Sequence, residues 1–493
     1  MPEIITTSRV LIPLAITFLA PLFIWLLRKN INVREAVSFT AAVLTTASML
    51  QFVPGVLSGK IYVITVFTLL EGIHVKFCVD GLALIFGLIA PFLWILVTSY
   101  NIGYMRGLSE HAQTRYYFCF AVAIFGAVGV ATAANIFTLY LFYEIISLFT
   151  YPLVAHHEDD EAFIGARKYF VYLMGTSKLF FLPAMVLTYV LAGTLDFNLG
   201  DLVHGIFPAG ADRTLVTLTY VLYIAGLAKA AIMPFHNWLP SAMVAPTPVS
   251  ALLHAVAVVK AGVFSVCRMI LSGFGLETMD AYFLGIPTAY VAAFTIVVAS
   301  FIALTKDDIK ARLAYSTVSQ LSYVVIGVAM LTPLAVQGGL MHIAHHAFSK
   351  ITLFMGAGAI YVATHTKKIS KMHGMGRRMP WTFGAFSIAA LSMIGVPPVC
   401  GFVSKWYMVR GAVSIHENIL LIALLASTLL NAGYFGPIIY KAFFLPASPG
   451  VRLEEYREAS AMMVVPLVIT ATISVILGLY PEIFLNFIKT FSF

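Results

Sequence analysis

Stretches of about 20 mostly apolar residues follow one another along almost the whole chain, and this repetition constrains the fold more than any other feature. Of the 493 residues, 60% are hydrophobic and only 11% are charged. Because so few polar side chains cannot cover a surface in water, lipid must be the solvent for most of the chain. The sequence therefore predicts an all-α integral membrane protein.

Apolar stretches long enough to cross a bilayer predict about fourteen transmembrane helices. They are centred near residues 18, 45, 91, 124, 145, 177, 222, 259, 293, 321, 350, 396, 428 and 473. The first, from Val10 to Leu27, is too long for a signal peptide and has no small-residue cleavage site before Arg28. The segment from Lys60 to Asp80 alternates in character, so we expect a hairpin or an extended loop outside the bilayer there.

The 30 Lys and Arg residues are shared unevenly between the two sets of connections. The connections after odd-numbered spans contain about three times as many Lys and Arg residues as the connections on the other side and both termini together. Since basic loops stay on the cytoplasmic side, we expect both termini on the non-cytoplasmic side of the cell (inner) membrane.

Seven ionisable residues fall inside the predicted spans, where a charge costs at least about 2.5 to 3.5 kcal/mol and therefore suggests function. Glu144 is the only acid among them, and the others are basic: Lys178, Lys229, Lys260, Arg268, Lys350 and Lys405. Glu144, Lys260 and Lys350 lie near mid-depth, which indicates a polar row along the membrane plane. We expect Arg268, near its helix end, to snorkel to the interface, and for Lys178 snorkelling and a structural hydrogen bond both remain open.

Two predicted spans, the seventh and the twelfth, are too long to be straight helices and contain helix breakers. The breakers are Pro234 and Pro240 in the seventh, and Pro397, Pro398 and Gly401 in the twelfth. Each broken span also carries a lysine near its break, and the two are five spans apart. Paired broken helices favour an ion pathway built on two inverted five-helix repeats, spans four to eight and nine to thirteen. The predicted regions are 1–110, 111–272, 273–442 and 443–493.

Two histidines share a helix face with one of these lysines. His342, His346 and Lys350 are spaced four residues apart, which favours a proton relay. Packed neutral histidines are one alternative, and a haem or metal with His254 as the facing ligand is another.

No metal or cofactor site is predicted in this chain. The four cysteines, Cys78, Cys119, Cys267 and Cys400, lack the spacing of metal ligands and are predicted to be buried structural thiols. His156 and His157 lie in a loop with four acids, HHEDDEAF, and are expected to be exposed to solvent.

At these residues the chain resembles the antiporter-like membrane subunits shared by respiratory complex I, Mrp-type cation/proton antiporters and membrane-bound hydrogenases. The resemblance covers roughly residues 80 to 440. It rests on LYLFYEIISL, GLAKAAIMPFHNWLPSAMVAPTPVSALLHA, VVKAGVF, HHAFSK and GVPPVCGFVSKWY. The end of the chain soon after the fourteenth span argues against the most distal complex I subunit, which carries a long C-terminal extension.

The resemblance implies roles for the charged residues. Two inverted repeats would each form a half-channel, with Glu144 and Lys229 as the ion pair of the first. His254 and Lys260 would link the halves. The second half would use His342, His346 and Lys350 as its relay and Lys405 as its exit-side lysine. Lys178 matches no motif of the family.

Three functions are compatible with this pattern. The first is a proton- or sodium-translocating subunit of a redox-driven membrane complex, a hydrogenase or complex I relative, whose electron chemistry lies in other subunits. The second is a subunit of an Mrp-type sodium/proton antiporter with no redox partner. The third is a haem-bearing membrane redox protein. All three functions place the chain in a lipid bilayer, and the first two also require further membrane subunits as partners. None of them involves binding to nucleic acid.

Overall fold

The computed structural model describes residues 2–447 and 456–492, and this part of the chain is mostly helical. Eleven of its helices are long and apolar enough to cross a membrane. They are Ser8–Leu26, Ile31–Leu57, Gly81–Gly107, Gln113–Ala131, Ile136–Val154, Asp160–Ala192, Thr247–Ala281, Gly285–Thr305, Pro333–Thr364, Asn418–Phe444 and Ala461–Leu479. The predicted helical membrane protein is confirmed at this level, and the apolar run near the N-terminus forms a helix as expected.

The N-terminal part combines helices with a small sheet, so the all-α prediction was incomplete. The elements are β1 Glu3–Thr6, α1 Leu11–Leu26, α2 Ile31–Leu50, α3 Val53–Leu57, β2 Lys60–Leu70, β3 Ile73–Val79 and α4 Gly81–Gly107. Strands β2 and β3 form the hairpin expected between Lys60 and Asp80, and Gly72 turns it with a φ of 77°. Strand β1 adds to β2 in parallel, which no pattern in its four residues indicated.

The middle of the chain contains α5 to α13, several of them joined into longer rods. They are α5 Gln113–Ala131, α6 Ile136–Val154, α7 Asp160–Thr176, α8 Leu182–Ala192, α9 Arg213–Gly226, α10 Trp238–Ser241, α11 Thr247–Val249, α12 Val258–Arg268 and α13 Gly275–Ala281. Wider, π-helical turns at Ser177–Phe181, Ser250–Ala257 and Met269–Phe274 join α7 to α8, α11 to α12 and α12 to α13. Such turns are common at functional sites, and the sequence pattern did not predict them.

The remaining helices are α14 to α21. They are α14 Gly285–Thr305, α15 Ile309–Ala329, α16 Pro333–Thr364, α17 Pro380–Ile394, α18 Cys400–Ser414, α19 Asn418–Phe444, α20 Ala461–Leu479 and α21 Glu482–Ile488. Helix α16 packs against α15, α17, α18 and α20, and is buried over most of its length. It forms the centre of this half of the molecule together with α12, whose residues are all buried.

Polar residues mark where many of these helices begin. The side chains of Asp80, Asn135, Asp159 and Asp308 accept hydrogen bonds from backbone N–H groups in the first turns of α4, α6, α7 and α15. An N-cap of this kind satisfies donors that the helix itself cannot. The local sequence therefore accounts for these helix starts, while the apolar stretches account for the helix lengths.

Both predicted helix breaks are present, with one difference in position. Helix α17 ends at Ile394 and α18 begins at Cys400, so Pro397 and Pro398 lie in the gap, as expected, whereas Gly401 lies in the first turn of α18 and does not break it. Helix α9, in contrast, already ends at Gly226, well before Pro234 and Pro240. Lys229 consequently lies inside the unwound segment rather than on the helix before it.

Candidate functional site

The charged residues predicted inside the spans fall into two groups by burial. Lys229, Lys260 and Lys350 are completely buried, and Lys405 is only 6% exposed. The Lys178 side chain, in contrast, is 48% exposed and that of Glu144 is 14% exposed. The polar row therefore starts at the surface of α6 and α7 and continues into the interior.

Glu144 pairs with Lys178 in this structure, and not with Lys229 as the resemblance implied. Lys178 lies in the π-helical turn after α7, and its Nζ is 2.9 Å from Oε2 of Glu144. The same Nζ donates a hydrogen bond of 2.7 Å to the Tyr140 hydroxyl. The buried Oε1 of Glu144 accepts no hydrogen bond within the described part of the chain. Glu144 thus keeps one oxygen available for a further donor.

Lys229 contacts the same helix as Glu144 but uses neutral groups. Its Nζ donates to the Tyr143 carbonyl at 2.8 Å and to the Ser147 hydroxyl at 2.7 Å, and lies 3.1 Å from the centroid of the Tyr143 ring. Tyr143 and Ser147 flank Glu144 in the sequence of α6. Lys229 is therefore held next to the acid without forming an ion pair with it.

The unwound segment around Lys229 is stabilised from two sides. The indole N–H of Trp238 donates to the Ala228 carbonyl at 2.9 Å, an oxygen that also accepts the Ala231 backbone N–H at 2.9 Å. Gly262 of α12 lies so close that an added Cβ would be 2.3 Å from the Ala230 nitrogen. Only glycine permits this approach of α12, which keeps the segment buried.

Lys260 joins α12 to α16 through a histidine. Its Nζ lies 2.6 Å from Nδ1 of His346. A hydrogen bond this short needs a lone pair on one partner, so the two groups share a proton and cannot both be fully protonated. The backbone of His254 belongs to the π-helical turn before α12, but its side chain lies outside the described part of the structure.

His342 uses both ring nitrogens. Nδ1 is 2.8 Å from the Ser404 hydroxyl, and Nε2 is 3.1 Å from Oε1 of Gln320. Because an amide oxygen only accepts, Nε2 carries the proton and Nδ1 accepts from Ser404 when the ring is neutral. The His342 and His346 ring centroids are 6.0 Å apart. The structure therefore places the two histidines beside Lys260 in one buried cluster, whereas the hydrogen bonds of Lys350, which shares their helix face, go to Ser316 and the Leu313 carbonyl.

Lys350 and Lys405 are connected by a chain of hydrogen bonds that the sequence analysis missed. Nζ of Lys350 donates to Ser316 at 2.7 Å, and the Ser316 hydroxyl lies 2.9 Å from the Tyr434 hydroxyl. Tyr434 donates to Asn431, whose side-chain nitrogen donates to the Met393 carbonyl at 3.1 Å. That carbonyl also accepts from Nζ of Lys405 at 2.6 Å. The polar residues of α15 were visible in the sequence, but nothing indicated which of them face α16.

Lys405 stabilises the broken end of α17. Besides Met393 it donates to the Ile394 carbonyl at 3.2 Å, and Nζ lies 4.7 Å from the centroid of the Tyr323 ring. A cation is favoured at the C-terminus of a helix, where carbonyls are left without partners. Gly401 allows α18 to approach α17, because an added Cβ would be 1.8 Å from the Ser392 carbonyl oxygen.

Arg268 does not snorkel, contrary to our expectation. It is completely buried, and its Nη1 and Nη2 donate to the two carboxylate oxygens of Asp80 at 2.6 and 2.9 Å. Asp80 lies just outside the predicted spans, so a count of charges within spans could not reveal this partner. The pair clamps α12 to the start of α4.

His156 is also buried, which contradicts the expectation of exposure, whereas the His157 side chain is 36% exposed. His157 lines a polar cavity of about 490 Å³ together with Glu110, Asp159 and Lys367. Partial burial lowers the pKa of the His157 imidazole below its ordinary value, so this ring is mostly neutral at pH 7. The cavity lies among connections that we predict to be cytoplasmic.

Comparisons with known proteins agree with this architecture. The family model described as NADH:quinone oxidoreductase/Mrp antiporter, TM, matches residues 133–431. NADH-quinone oxidoreductase subunit N of Desulforudis audaxviator is 32% identical over 94% of this chain and 94% of its own length. The Na(+)/H(+) antiporter subunit A1 of Staphylococcus haemolyticus is 30% identical over 83% of this chain, which spans only 53% of that relative.

A solved structure shares the fold over nearly the full length. It belongs to the membrane-bound sulfane sulfur reductase, an archaeal respiratory membrane complex. The TM-score is 0.84 at 25% sequence identity, and the match covers 98% of this chain and 96% of the other. The relatives and this structure are all parts of multi-subunit membrane complexes or antiporters, which confirms the predicted resemblance. The chain therefore belongs to the NADH:quinone oxidoreductase/Mrp antiporter family and is one of its antiporter-like membrane subunits.

Proposed function

We propose that this chain moves protons, or protons and sodium ions, across the cell (inner) membrane as one subunit of a redox-driven complex. Other subunits of that complex, a hydrogenase or a complex I relative, carry out the electron chemistry. The observation that carries the proposal is the series of buried lysines and histidines from α6 to α19, which form neighbouring clusters held internally by hydrogen bonds of 2.6 to 3.1 Å.

The layout that we propose has fourteen spans in two inverted five-helix repeats, with both termini on the non-cytoplasmic side. The eleven apolar helices supply most of the spans. The broken segments α9–α10 and α17–α18, together with the more polar α15, supply the other three. The corresponding lysines support the repeat, since Lys229 and Lys405 both lie at a helix break and both donate to backbone carbonyls.

In the first half-channel, the charge of Lys229 responds to the distance between Lys178 and Glu144. While Lys178 holds Glu144, the acid is neutralised and Lys229 is stabilised only by neutral groups. When that pair separates, the free carboxylate favours protonated Lys229. Opening and closing of one ion pair would thus load and unload Lys229.

In the second half-channel, a proton passes between sites that share hydrogen bonds. Lys260 and His346 hold one proton between them, and the His342 ring, whose centroid is 6.0 Å from that of His346, contacts Ser404, the neighbour of Lys405 in α18. From Lys350, a second chain of hydrogen bonds runs through the Ser316 and Tyr434 hydroxyls to Asn431, whose side-chain nitrogen shares the Met393 carbonyl with Lys405. Because both nitrogens donate to that carbonyl, the proton-passing part of this chain ends at Tyr434, and water would complete the step to Lys405. Hydroxyl groups both donate and accept, so they can pass a proton without a net charge of their own.

The experiment is an ion-transport measurement on the complex that contains this chain. Reconstituted into liposomes, it should move protons when an electron donor and acceptor are added, with no ion gradient present beforehand. Repeating the measurement without sodium separates proton from sodium transport. Electron transfer without any ion movement would contradict the proposal.

A second candidate is an Mrp-type sodium/proton antiporter subunit, favoured by the 30% identity to antiporter subunit A1. In that case a sodium gradient alone should drive proton movement in the liposomes, and electron donors should have no effect. If the chain instead bound haem, the purified chain should show a haem absorption spectrum.

A further inference from the structure

A cluster of three potential metal ligands lies outside the translocation row, at the connections α4–α5 and α6–α7. It consists of a carboxylate oxygen of Glu110 and one ring nitrogen each of His111 and His156, all within 4.8 Å of one another. From this geometry we propose a binding site for a divalent transition metal of the Zn²⁺ class. The site does not depend on the proposed transport function.

The strongest support for this site is that His156 is buried without a hydrogen-bond partner for its ring. Its side chain is completely buried, yet neither ring nitrogen forms a hydrogen bond within the described part of the chain. A buried polar group without a partner costs about 1 to 3 kcal/mol, so such groups usually have a ligand. The His156 backbone is held in place by Arg115, which donates to its carbonyl at 3.1 Å.

The spacing of the atoms fits a metal better than a hydrogen bond. Nε2 of His156 is 3.5 Å from Oε2 of Glu110, which is longer than an ordinary hydrogen bond. Two ligands about 2.0 to 2.1 Å from a tetrahedral Zn²⁺ are separated by about 3.4 Å. The first two ligands are therefore already at the distance that a metal would require.

The third and fourth positions can be filled from the same connections. His111 stacks on His156 with ring centroids 4.8 Å apart, and it is exposed, so its ring can rotate toward the shared point. His157 lies near as well, with Nδ1 at 3.8 Å from Oε2 of Glu110. Two or three imidazoles with one carboxylate are a ligand set that Zn²⁺ commonly takes.

The surrounding charge also permits a cation. The Arg115 guanidinium, which contacts the His156 carbonyl, forms an ion pair with Glu158, so its charge is balanced. The polar cavity beside the cluster is lined by four acids and two lysines, which leaves its formal charge negative: Glu110, Asp159, Glu161, Asp308, Lys310 and Lys367. Metal binding would join the α4–α5 connection to the α6–α7 connection at the edge of that cavity.

The test is a titration of the purified complex with Co²⁺, a coloured substitute for Zn²⁺, after removal of metals by a chelator and without a polyhistidine tag. We expect one Co²⁺ per chain with the intense absorption of four-coordinate cobalt, displaced by Zn²⁺. Glu110→Gln and His111→Ala should each weaken binding at least tenfold, since even partners of metal ligands are worth about 10- to 100-fold.

His111→Ala is the decisive variant, because this exposed residue can be changed without loss of folding. His373→Ala, at a histidine outside the cluster, is the matched control and should bind as the unchanged protein does. Absence of bound Co²⁺ in the unchanged protein would overturn the proposal. Equal binding in Glu110→Gln, His111→Ala and His373→Ala would also overturn it.

Discussion

The two halves of the polar row stabilise their buried charged residues in different ways. The first half contains a carboxylate, Glu144, which pairs with a half-exposed lysine next to a buried one. The second half, between α12 and α19, contains three lysines and two histidines, and in the described part of the chain the hydrogen bonds of Lys260, Lys350 and Lys405 go to a histidine, a hydroxyl and backbone carbonyls, with no acid among them. An ion pair can switch when its partners move apart, whereas a hydrogen-bonded chain works by passing a proton.

This difference predicts unequal sensitivity to substitution. The first half should depend on charge, because neutralising either partner of an ion pair removes most of the interaction. The second half should depend on the ability of each group to take up and release a proton. The following variants test the two statements in order of expected effect.

Lys229→Ala should have the largest effect. Alanine removes the buried amine that contacts both sides of Glu144 on α6, so ion transport should fall at least tenfold, equal to about 1.4 kcal/mol. Assembly should remain intact, because a buried charge without an ion-pair partner contributes little stability.

Transport by reconstituted complex, compared with the amount of assembled complex, measures both parts of this prediction. Lys60→Ala is the control, because Lys60 is partly exposed in β2 and far from the row in sequence. Normal pumping by the Lys229→Ala variant would show that ion transport does not require Lys229 and would contradict the proposed first half-channel.

Lys405→Arg should lower transport nearly as much as Lys405→Ala. Arginine keeps the positive charge and can still donate to the carbonyls at the end of α17, but its guanidinium stays protonated in proteins. If Lys405 only neutralises the helix end, the arginine variant should transport normally and the alanine variant should not. Ion pumping and electron transfer, both measured in each variant, distinguish a titrating lysine from a structural one.

Glu144→Gln should reduce transport about five- to tenfold, an effect of about 1 to 1.4 kcal/mol. The amide keeps the shape of the side chain but removes the charge that attracts Lys178 and Lys229. Glu144→Asp should retain part of the activity. Glu158→Gln, at an acid in the α6–α7 connection, is the control. Equal transport by the Gln and unchanged proteins would show that Glu144 is structural and that the two halves do not differ in this way.

The sequence was sufficient to locate the residues of the polar row, but not to identify which of them contact one another. The lysines and both broken helices could be located because charges and prolines within apolar stretches are costly and therefore conspicuous. The partner of Glu144 could not, because the π-helical turn at Ser177–Phe181 changes the direction of Lys178 and leaves no clear pattern. The burial of Arg268 depended on Asp80, which is almost 190 residues away and lies outside the spans.

The hydroxyl groups were the other part that the sequence could not supply. Ser and Thr are frequent in membrane helices and usually bond to their own backbone, as Thr317 does to the Leu313 carbonyl at 2.9 Å. Ser316, its neighbour, instead contacts Lys350 and Tyr434. Only the packing of α15 against α16 and α19 determines that Ser316 contacts other helices while Thr317 bonds to its own backbone.

Tyr434→Phe should have the smallest effect of the series and is the sharpest test of the second half. It removes one hydroxyl from the chain between Lys350 and Lys405 and leaves the ring in place. The hydroxyl bonds both Ser316 and Asn431, and a hydrogen bond of this kind is worth about 1 kcal/mol, so transport should fall at least about two- to fivefold. Tyr323→Phe is the matched control, since that hydroxyl also lies beside α19 but donates to the Leu424 carbonyl at 3.3 Å, outside the chain. If the hydroxyl passes protons, Tyr434→Phe should slow transport while Tyr323→Phe does not. Equal rates in the two variants would mean that protons reach Lys405 through His342 and Ser404 instead, or through water.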